Sequence, residues 1–119
     1  MKFLMMIKHP ESYRTLTIPQ GLMDAMGVFV TEKMQAGVIK ETAGLKPTSD
    51  GFRVRSSGGK LQMTDGPFSE TKEVIGGYAM GEMPSLAEAR KLATEFMDLH
   101  RIHWPEFEGE CEVRPLEEM

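Results

Sequence analysis

The sequence is poor in cysteine and in long hydrophobic runs. Cys111 is the only cysteine among 119 residues, so no disulfide can form within the chain. The longest apolar run, Phe3 to Ile7, is far too short to span a bilayer. It is followed by His9-Pro10-Glu11, where a signal peptide would have small residues. We therefore expect a cytoplasmic protein that does not enter a membrane.

Clusters of basic residues are also scarce. Lys and Arg number 14 against 18 Asp and Glu, which gives a formal net charge of −4. The small group of Arg53, Arg55 and Lys60 has the spacing of the solvated face of a hairpin. Because a polyanion needs a concentrated positive surface, nucleic acid is not an expected partner.

Several catalytic and cofactor motifs are missing as well. The sequence has no phosphate-cradling glycine loop, no Gly-x-Ser-x-Gly elbow and no paired-cysteine metal motif. The commonest nucleotide-binding and hydrolase motifs are therefore excluded, and no cofactor is predicted.

The chain does contain the patterns of a single globular domain, residues 1–119, with 40% hydrophobic and 27% charged residues. Lys2 to Lys8 predicts a central strand, because its core is apolar on both faces. Pro19 to Ala36 predicts a helix that begins with a capping box of Thr17 and Gln20 and ends at Gly37.

In the middle of the chain, apolar and polar residues alternate as they do in β-strands. Val38 to Leu45 predicts a second strand, and the segments on either side of Ser57-Gly58-Gly59 predict a hairpin, Phe52–Arg55 and Lys60–Met63. Val74 to Met83 predicts a further strand. Its Gly76-Gly77 pair indicates a β-bulge or a close approach of another segment.

The last third predicts a helix and a strand. Ser85-Leu86-Ala87-Glu88 is a capping box, and the helix that it opens must end near His103 because Pro105 follows. Glu110 to Leu116 alternates as a final strand. The order of elements predicts an α+β fold, a ferredoxin-like split βαβ sandwich with an inserted β-hairpin. Right-handed crossovers would pair the first and the Val74–Met83 strands at the centre.

This topology brings polar residues to one end of the sheet. The residues expected there are His9, Tyr13, Arg14, the 65–73 loop, His100 and His103. Functional sites are commonly built from such loops. However, half of the loops of any such chain lie at each end, so the grouping alone does not define a site.

Two groups within this end have competing interpretations. Asp65-Gly66-Pro67 is typical of a turn, and the charges around Thr71 either bind a small polar ligand and transfer protons or form an ion-pair network that fixes the loop. His100 and His103 lie three residues apart on one helix face. We favour helix-terminal cations for this pair over metal ligands, and no metal site is predicted. Trp104 and Phe107 are expected to cap the core or to fill a subunit interface.

The segment from Thr64 to Glu73, followed by Ile75-Gly76-Gly77-Tyr78, closely resembles the signature of the DGPF family of YCII-related proteins. Similar segments flank it on both sides, at Ala36-Gly37-Val38, Gly44-Leu45, Arg53-Val54-Arg55, Ser85 to Ala89 and Glu112 to Pro115. The resemblance covers nearly the whole chain. It implies a dimeric α/β barrel, in which two ferredoxin-like sheets pack face to face around a shared cavity, and hence a homodimer.

The resemblance implies less about chemistry. Some members of the family accompany sigma factors of the extracytoplasmic-function type, and YCII relatives include a dehydrochlorinase-like enzyme with a histidine and an aspartate as its proposed working pair. This chain has Pro19-Gln20-Gly21-Leu22 where that histidine is expected, and His100 to Pro105 replaces the aspartate-proline after the second helix. Neither catalytic residue can therefore be carried over.

Other residues must then provide any activity. Asp65 and His9 are the acid–base candidates, and the candidate ligand-binding residues are Phe68, Thr71, Lys72, Glu73 and Tyr78. We expect a protein that binds a small polar metabolite in a dimer cavity, with lyase- or hydrolase-like acid/base chemistry. The alternative is a non-catalytic regulatory or protein-interaction module linked to sigma-factor-dependent transcription.

Overall fold

The computed structural model of the chain describes residues 1–68 and 71–118, apart from the side chains of Arg14 and Thr15. Ser69 and Glu70 of the predicted signature loop lie outside the described residues. The elements in chain order are β1 (Lys2–His9), α1 (Gln20–Gln35), β2 (Ile39–Gly44), β3 (Phe52–Ser57), β4 (Lys60–Asp65), β5 (Val74–Glu82), α2 (Leu86–His103) and β6 (Glu110–Pro115). Short 3₁₀ helices occupy Glu11–Thr15 and Thr48–Asp50.

Four of the strands form one antiparallel sheet in the order β2-β5-β1-β6, and β3 and β4 form a separate hairpin. The predicted α+β class is confirmed. The strand order, with β1 and β5 at the centre, agrees with the expected split βαβ arrangement. The sheet is open at β2 and β6, so a barrel of the predicted kind would need a second copy.

The core lies between this sheet and the two helices. Alternate residues of β1, Phe3 and Met5, are buried and face the helices. They join a cluster of buried side chains from both helices and from the sheet, Phe29, Ile39, Met83, Ala89 and Leu92. None of the described helices is both long and apolar enough to cross a bilayer.

The ends of the helices show which of the predicted capping residues cap a helix. The Ser85 hydroxyl accepts a hydrogen bond from the Glu88 N–H at 3.3 Å, so the predicted cap of α2 is confirmed. The capping box predicted for α1 is wrong, because the helix begins at Gln20 with Pro19 as its N-cap and no side-chain cap. The Gln20 amide donates instead to Asp24 at 2.9 Å. Gly37, with φ of 76°, follows the end of α1 as expected.

The hairpin has the predicted turn. Gly58 and Gly59 have φ of 58° and 76°, as a two-residue type I′ turn requires at both central positions. The strands run from Phe52 to Ser57 and from Lys60 to Asp65. Each strand is two residues longer than predicted. All residues of both strands are exposed.

A cavity beneath His9

A cavity of about 420 Å³ lies between the sheet and the helices, at the end of the sheet where β1 finishes. This volume falls within the range of about 300–1,000 Å³ that is usual for small-molecule sites. Most of its wall is apolar. The side chains that give it polar character are His9, Tyr13, Thr42, His100 and Cys111.

Glycine residues form part of the cavity wall. Gly44 of β2 and Gly76 and Gly77 of β5 all border the cavity. Since they carry no side chains, the backbone itself forms this part of the wall. The predicted irregularity at the glycine pair is confirmed, because the β1–β5 register passes from Ile7 opposite Gly77 to Lys8 opposite Ile75. Gly76 is thus the extra residue of a β-bulge.

His9 ends β1 and borders the cavity. Its Nδ1 lies 2.9 Å from the carbonyl oxygen of Pro10. When Nδ1–H donates to that carbonyl, Nε2 carries the free lone pair and is a hydrogen-bond acceptor. The imidazole also stacks on Tyr13, with ring centroids 5.9 Å apart and planes inclined by 13°. The backbone and Tyr13 therefore fix the orientation of the ring.

Aromatic side chains form the wall next to His9. The Tyr13 ring lies 5.6 Å from Trp104 and 5.7 Å from Phe107, and these two lie 5.4 Å from each other. The Tyr13 hydroxyl accepts a hydrogen bond from the Glu108 N–H at 3.1 Å. Trp104 and Phe107, which were expected to cap the core or to fill an interface, border the cavity of their own chain.

His100 is the second imidazole at the cavity, and only 6% of its surface is exposed. Its Nδ1 lies 3.0 Å from the carbonyl oxygen of Phe96, and its ring contacts Phe96 and Phe107 at centroid distances of 4.9 and 4.8 Å. Burial lowers the pKa of His100, against a smaller opposing effect of the hydrogen bond to Phe96. His100 is therefore neutral at pH 7 and, like His9, has Nε2 available as an acceptor.

The described residues of the signature loop pack against the hairpin rather than in the cavity. The Arg53 guanidinium lies over the Phe68 ring at 3.7 Å from its centroid, a cation–π geometry. Arg53 also donates to the Thr71 hydroxyl at 3.0 Å. Asp65 is exposed and pairs with Phe52 at the base of the hairpin. Phe68 and Thr71 thus have structural partners.

The structure separates the candidate residues into two groups. His9 and Tyr78 border the cavity, although the register of Tyr78 with Met6 places its side chain on the opposite face of the sheet. The residues described along the cavity do not include Asp65 or the other candidates of the loop, Phe68, Thr71, Lys72 and Glu73. The acid–base candidates His9 and Asp65 are therefore not brought together there.

Comparison with known proteins identifies the chain. The family model of the YCII-related domain matches residues 1–96. The chain belongs to the YCII-related family. It is also 35% identical over 83 residues to Uncharacterized protein R00369 of Rhizobium meliloti (strain 1021). That alignment covers 70% of this chain and 63% of the relative, so the chain matches less than two thirds of the relative's length. The resemblance seen in the signature is confirmed.

A series of hydrogen bonds connects the signature loop of this YCII-related chain to the segment that borders the cavity. Glu11 Oε1 accepts hydrogen bonds from the Thr48 N–H at 3.0 Å and from the Thr48 hydroxyl at 2.8 Å. The Thr48 hydroxyl oxygen in turn accepts from the Phe68 N–H at 3.2 Å. Glu11 and Tyr13 belong to the same 3₁₀ helix. One short segment therefore holds both the signature loop and the aromatic wall.

The remaining polar groups at the site are few. Cys111 is half-buried at the cavity, and burial raises the pKa of its thiol, so it behaves as a small apolar group. In the part of the chain that the structure describes, no three His, Cys, Asp or Glu side chains are grouped so that they could hold a metal ion.

Sequence reasoning overlooked His100 as a site residue, because its place near the helix end suggested a solvated cation. A signal was present. His100 follows Phe96 by four residues and Leu92 by eight, which places it on the buried face of α2. Tyr13, Trp104 and Phe107 had no comparable pattern, since Tyr13 lies in a five-residue 3₁₀ helix and the other two lie in the segment between α2 and β6.

Proposed function

We propose that this YCII-related protein binds a small and largely apolar molecule, such as a single-ring aromatic with a hydroxyl group, in the cavity beneath His9. The observation that carries the proposal is the pairing of an apolar, aromatic wall with two oriented imidazoles. Ligand sites generally combine such a wall with a few fixed polar groups that orient the ligand.

The two imidazoles define the polar part of the ligand. His9 and His100 both direct Nδ1 toward a backbone carbonyl, which leaves Nε2 as an acceptor on each ring. The matching ligand carries a hydrogen-bond donor rather than a carboxylate, because two acceptors in an apolar cavity repel a negative charge. The ligand is thus more apolar than the polar metabolite expected from the sequence.

Proton transfer is the chemistry that this arrangement supports. Imidazole is the side chain used most often as a general base. Nε2 of His9 would take a proton from the ligand's donor group, while the Pro10 carbonyl stabilises the charged ring through Nδ1. Asp65 lies in the exposed hairpin and is not included in this step.

We also propose that the protein is a homodimer, as the family resemblance implies. The face of the sheet opposite the helices, called the outer face here, has an apolar centre made of Leu4, Met6, Tyr78 and Met80. All four are only half-buried in the single chain. Pairing two such faces would remove this apolar surface from water, which favours association.

Tryptophan fluorescence provides a direct test of ligand binding. Trp104 is the only tryptophan of the chain and borders the cavity. Phenol and toluene have nearly the same shape, and only phenol carries a hydrogen-bond donor. We expect phenol to change Trp104 fluorescence saturably and to bind at least tenfold more tightly than toluene, because only phenol satisfies an imidazole acceptor.

A cavity-filling variant makes the test specific. Ala79 borders the cavity and packs against the core, whereas Ala87 is exposed on α2. Ala79→Leu should abolish the phenol response, and Ala87→Leu should leave it unchanged. Phenol binding that survives Ala79→Leu, or a fluorescence that responds to neither compound, would contradict the proposal.

A further inference from the structure

The β3–β4 hairpin, residues 52–65, projects as an arm with one apolar face. The register pairs Val54 with Met63, Phe52 with Asp65 and Ser56 with Leu61, so these residues share a face. The four apolar side chains on it, called the arm face here, are Phe52, Val54, Leu61 and Met63, which are 63%, 53%, 77% and 67% exposed. Contiguous exposed apolar surface of this kind marks an interaction site.

The arm is held at its base and left uncovered along its length. Its base is fixed by the Gly66 N–H, which donates to the Gly51 carbonyl, and by the Arg53–Thr71 hydrogen bond. Among the elements of the described chain, β3 and β4 pack extensively only against each other. Because a two-stranded hairpin alone is marginally stable in water, a covering surface would stabilise it.

The arm and the rest of the chain carry net charges of opposite sign. The opposite face of the arm carries Arg53, Arg55 and Lys60. Asp65, which pairs with Phe52 on the arm face, is the only carboxylate of the arm. The arm therefore has a net charge of +2. Since the whole chain has a net charge of −4, the remaining residues carry −6. The arm is thus electrostatically complementary to the body of another copy of the same chain.

The outer face of the sheet has the matching character. Its apolar centre is flanked by side chains that the register places on the same face as Leu4 and Met80, namely the carboxylates Glu41, Glu82, Glu110 and Glu112 and the basic residues Lys2, Lys8 and Arg114. Lys8 forms an ion pair with Glu112 at 2.6 Å, and the four negative and three positive charges leave a net charge of −1. The outer face is therefore an apolar surface with a weakly acidic rim, and its centre matches the apolar arm face.

We infer that the arm face packs on the outer face of a second copy of this chain. Under two-fold symmetry each copy contributes one arm and one outer face. Four arm side chains alone bury less than the roughly 800 Å² per partner that a stable interface needs. The arm is therefore one part of an interface that also buries the outer face. This inference rests on the proposed homodimer.

Sedimentation of two matched variants tests the role of the arm. Leu61→Asp introduces a charge into the arm face, whereas Gln62→Asp introduces the same charge on the opposite face of the same strand. Both positions are exposed, so both variants should fold, which circular dichroism would verify. We expect Leu61→Asp to raise the dimer Kd at least tenfold, because the charge enters the symmetric interface twice, and to raise it at least threefold more than Gln62→Asp does.

Isotope-mixed crosslinking identifies the surface on which the arm lies. Lys60 is the only lysine of the arm, and Lys2 and Lys8 are lysines of the outer face. In a mixture of ¹⁴N- and ¹⁵N-labelled protein, an amine-reactive crosslinker should connect Lys60 of one isotopic form to Lys2 or Lys8 of the other. Crosslinks of Lys60 within a single isotopic form only would overturn the inference.

The possible outcomes distinguish docking of the arm from formation of the homodimer. A dimer whose Kd is the same in wild type and Leu61→Asp overturns arm docking and leaves the homodimer intact. A wild-type monomer overturns both and leaves ligand binding in the cavity untouched. A monomer that sediments with phosphatidylglycerol vesicles, or a purified heterologous partner lost in Leu61→Asp, overturns the inference in favour of that occupant.

Discussion

Gly76 lies so close to His9 that a Cβ at position 76 would overlap Nε2 of the imidazole. Gly76 is also the extra residue of the bulge between β1 and β5. The bulge therefore does two things at once: it interrupts the register of the central strands, and it leaves room for the His9 ring at the cavity. The combination explains why a glycine stands in the middle of a central strand, where it otherwise weakens the sheet.

Gly76→Ala should displace the His9 ring and impair phenol binding by tenfold or more. The variant should also be destabilised by about 1–3 kcal/mol, the usual cost of overpacking. Urea unfolding and the Trp104 titration measure both effects. Gly27→Ala is the matched control, because Gly27 lies within α1 with no atom near its absent Cβ. It should stabilise the protein by about 0.5–1 kcal/mol. Normal phenol binding by Gly76→Ala would refute a role for the His9 position.

Thr48→Val should loosen the attachment of the signature loop, because it removes the hydroxyl that donates to Glu11 and accepts from Phe68. Hydrogen bonds to a charged group contribute about 1.5–3 kcal/mol each, so we expect a loss of about 2 kcal/mol in urea unfolding. Thr48→Ser keeps the hydroxyl and should lose less than half as much. Equal destabilisation by both variants would contradict a specific stabilising role of the hydroxyl.

The two helix caps provide a comparison between a confirmed and an incorrect prediction. Ser85→Ala removes the hydroxyl that accepts from the Glu88 N–H and should cost about 1 kcal/mol. Thr17→Ala alters a residue that was predicted to cap α1 but precedes the Pro19 N-cap. It should change the free energy of unfolding by less than about 0.5 kcal/mol, as is usual for exposed positions. Chemical denaturation measures both changes in the free energy of unfolding. A loss of stability in Thr17→Ala beyond this limit would show that Thr17 does cap α1.

Stability should decrease as the pH falls below about 6.5, the ordinary pKa of histidine. Burial lowers the pKa of His100 in the folded protein, so the unfolded chain binds a proton in a range where the folded chain does not. Urea midpoints at pH 7.5 and 5.5 measure this loss. His100→Phe should reduce it, and His103→Gln, at an exposed residue, should not. A pH dependence unchanged in His100→Phe would contradict the assignment.

Cys111 should react slowly with iodoacetamide in the folded protein, because burial both raises the pKa of its thiol and restricts access. Mass spectrometry of timed samples measures the rate, and protein unfolded in urea provides the fast reference. Phenol should slow the reaction further, since Cys111 borders the cavity. A rate that equals that of the unfolded chain would show that the thiol is open to solvent.

Local signals predicted most of the secondary structure. The cap of α2 and the Gly58-Gly59 turn depend on residues that are adjacent or three apart, so the sequence specifies them directly. The predicted start of α1 at Pro19 agrees to within one residue with the observed start at Gln20, whereas the predicted capping box of Thr17 and Gln20 is absent because Pro19 is the N-cap.

The candidate site was predicted only in part. His9 was identified, and it does border a cavity. Asp65 and its loop were grouped with it because both lie at one end of the sheet. In the structure the loop is drawn toward the hairpin by Arg53 and Thr48. One end of a sheet is a wide region. Which of its side chains share a pocket depends on tertiary contacts, and residue spacing in the sequence does not reveal these.

Local patterns of residues were enough to predict the α+β class, the order of the elements and the hairpin, since each depends on residues close together in the chain. The signature and its flanking segments were enough to recognise the family. Tertiary structure alone decided that His9, Tyr13, His100 and Trp104 border one cavity. It also decided that the arm face is uncovered in the single chain. The physical reason is the same in both cases. Burial and exposure arise from packing between segments far apart in the chain, and an empty space beside glycines is a property of that packing.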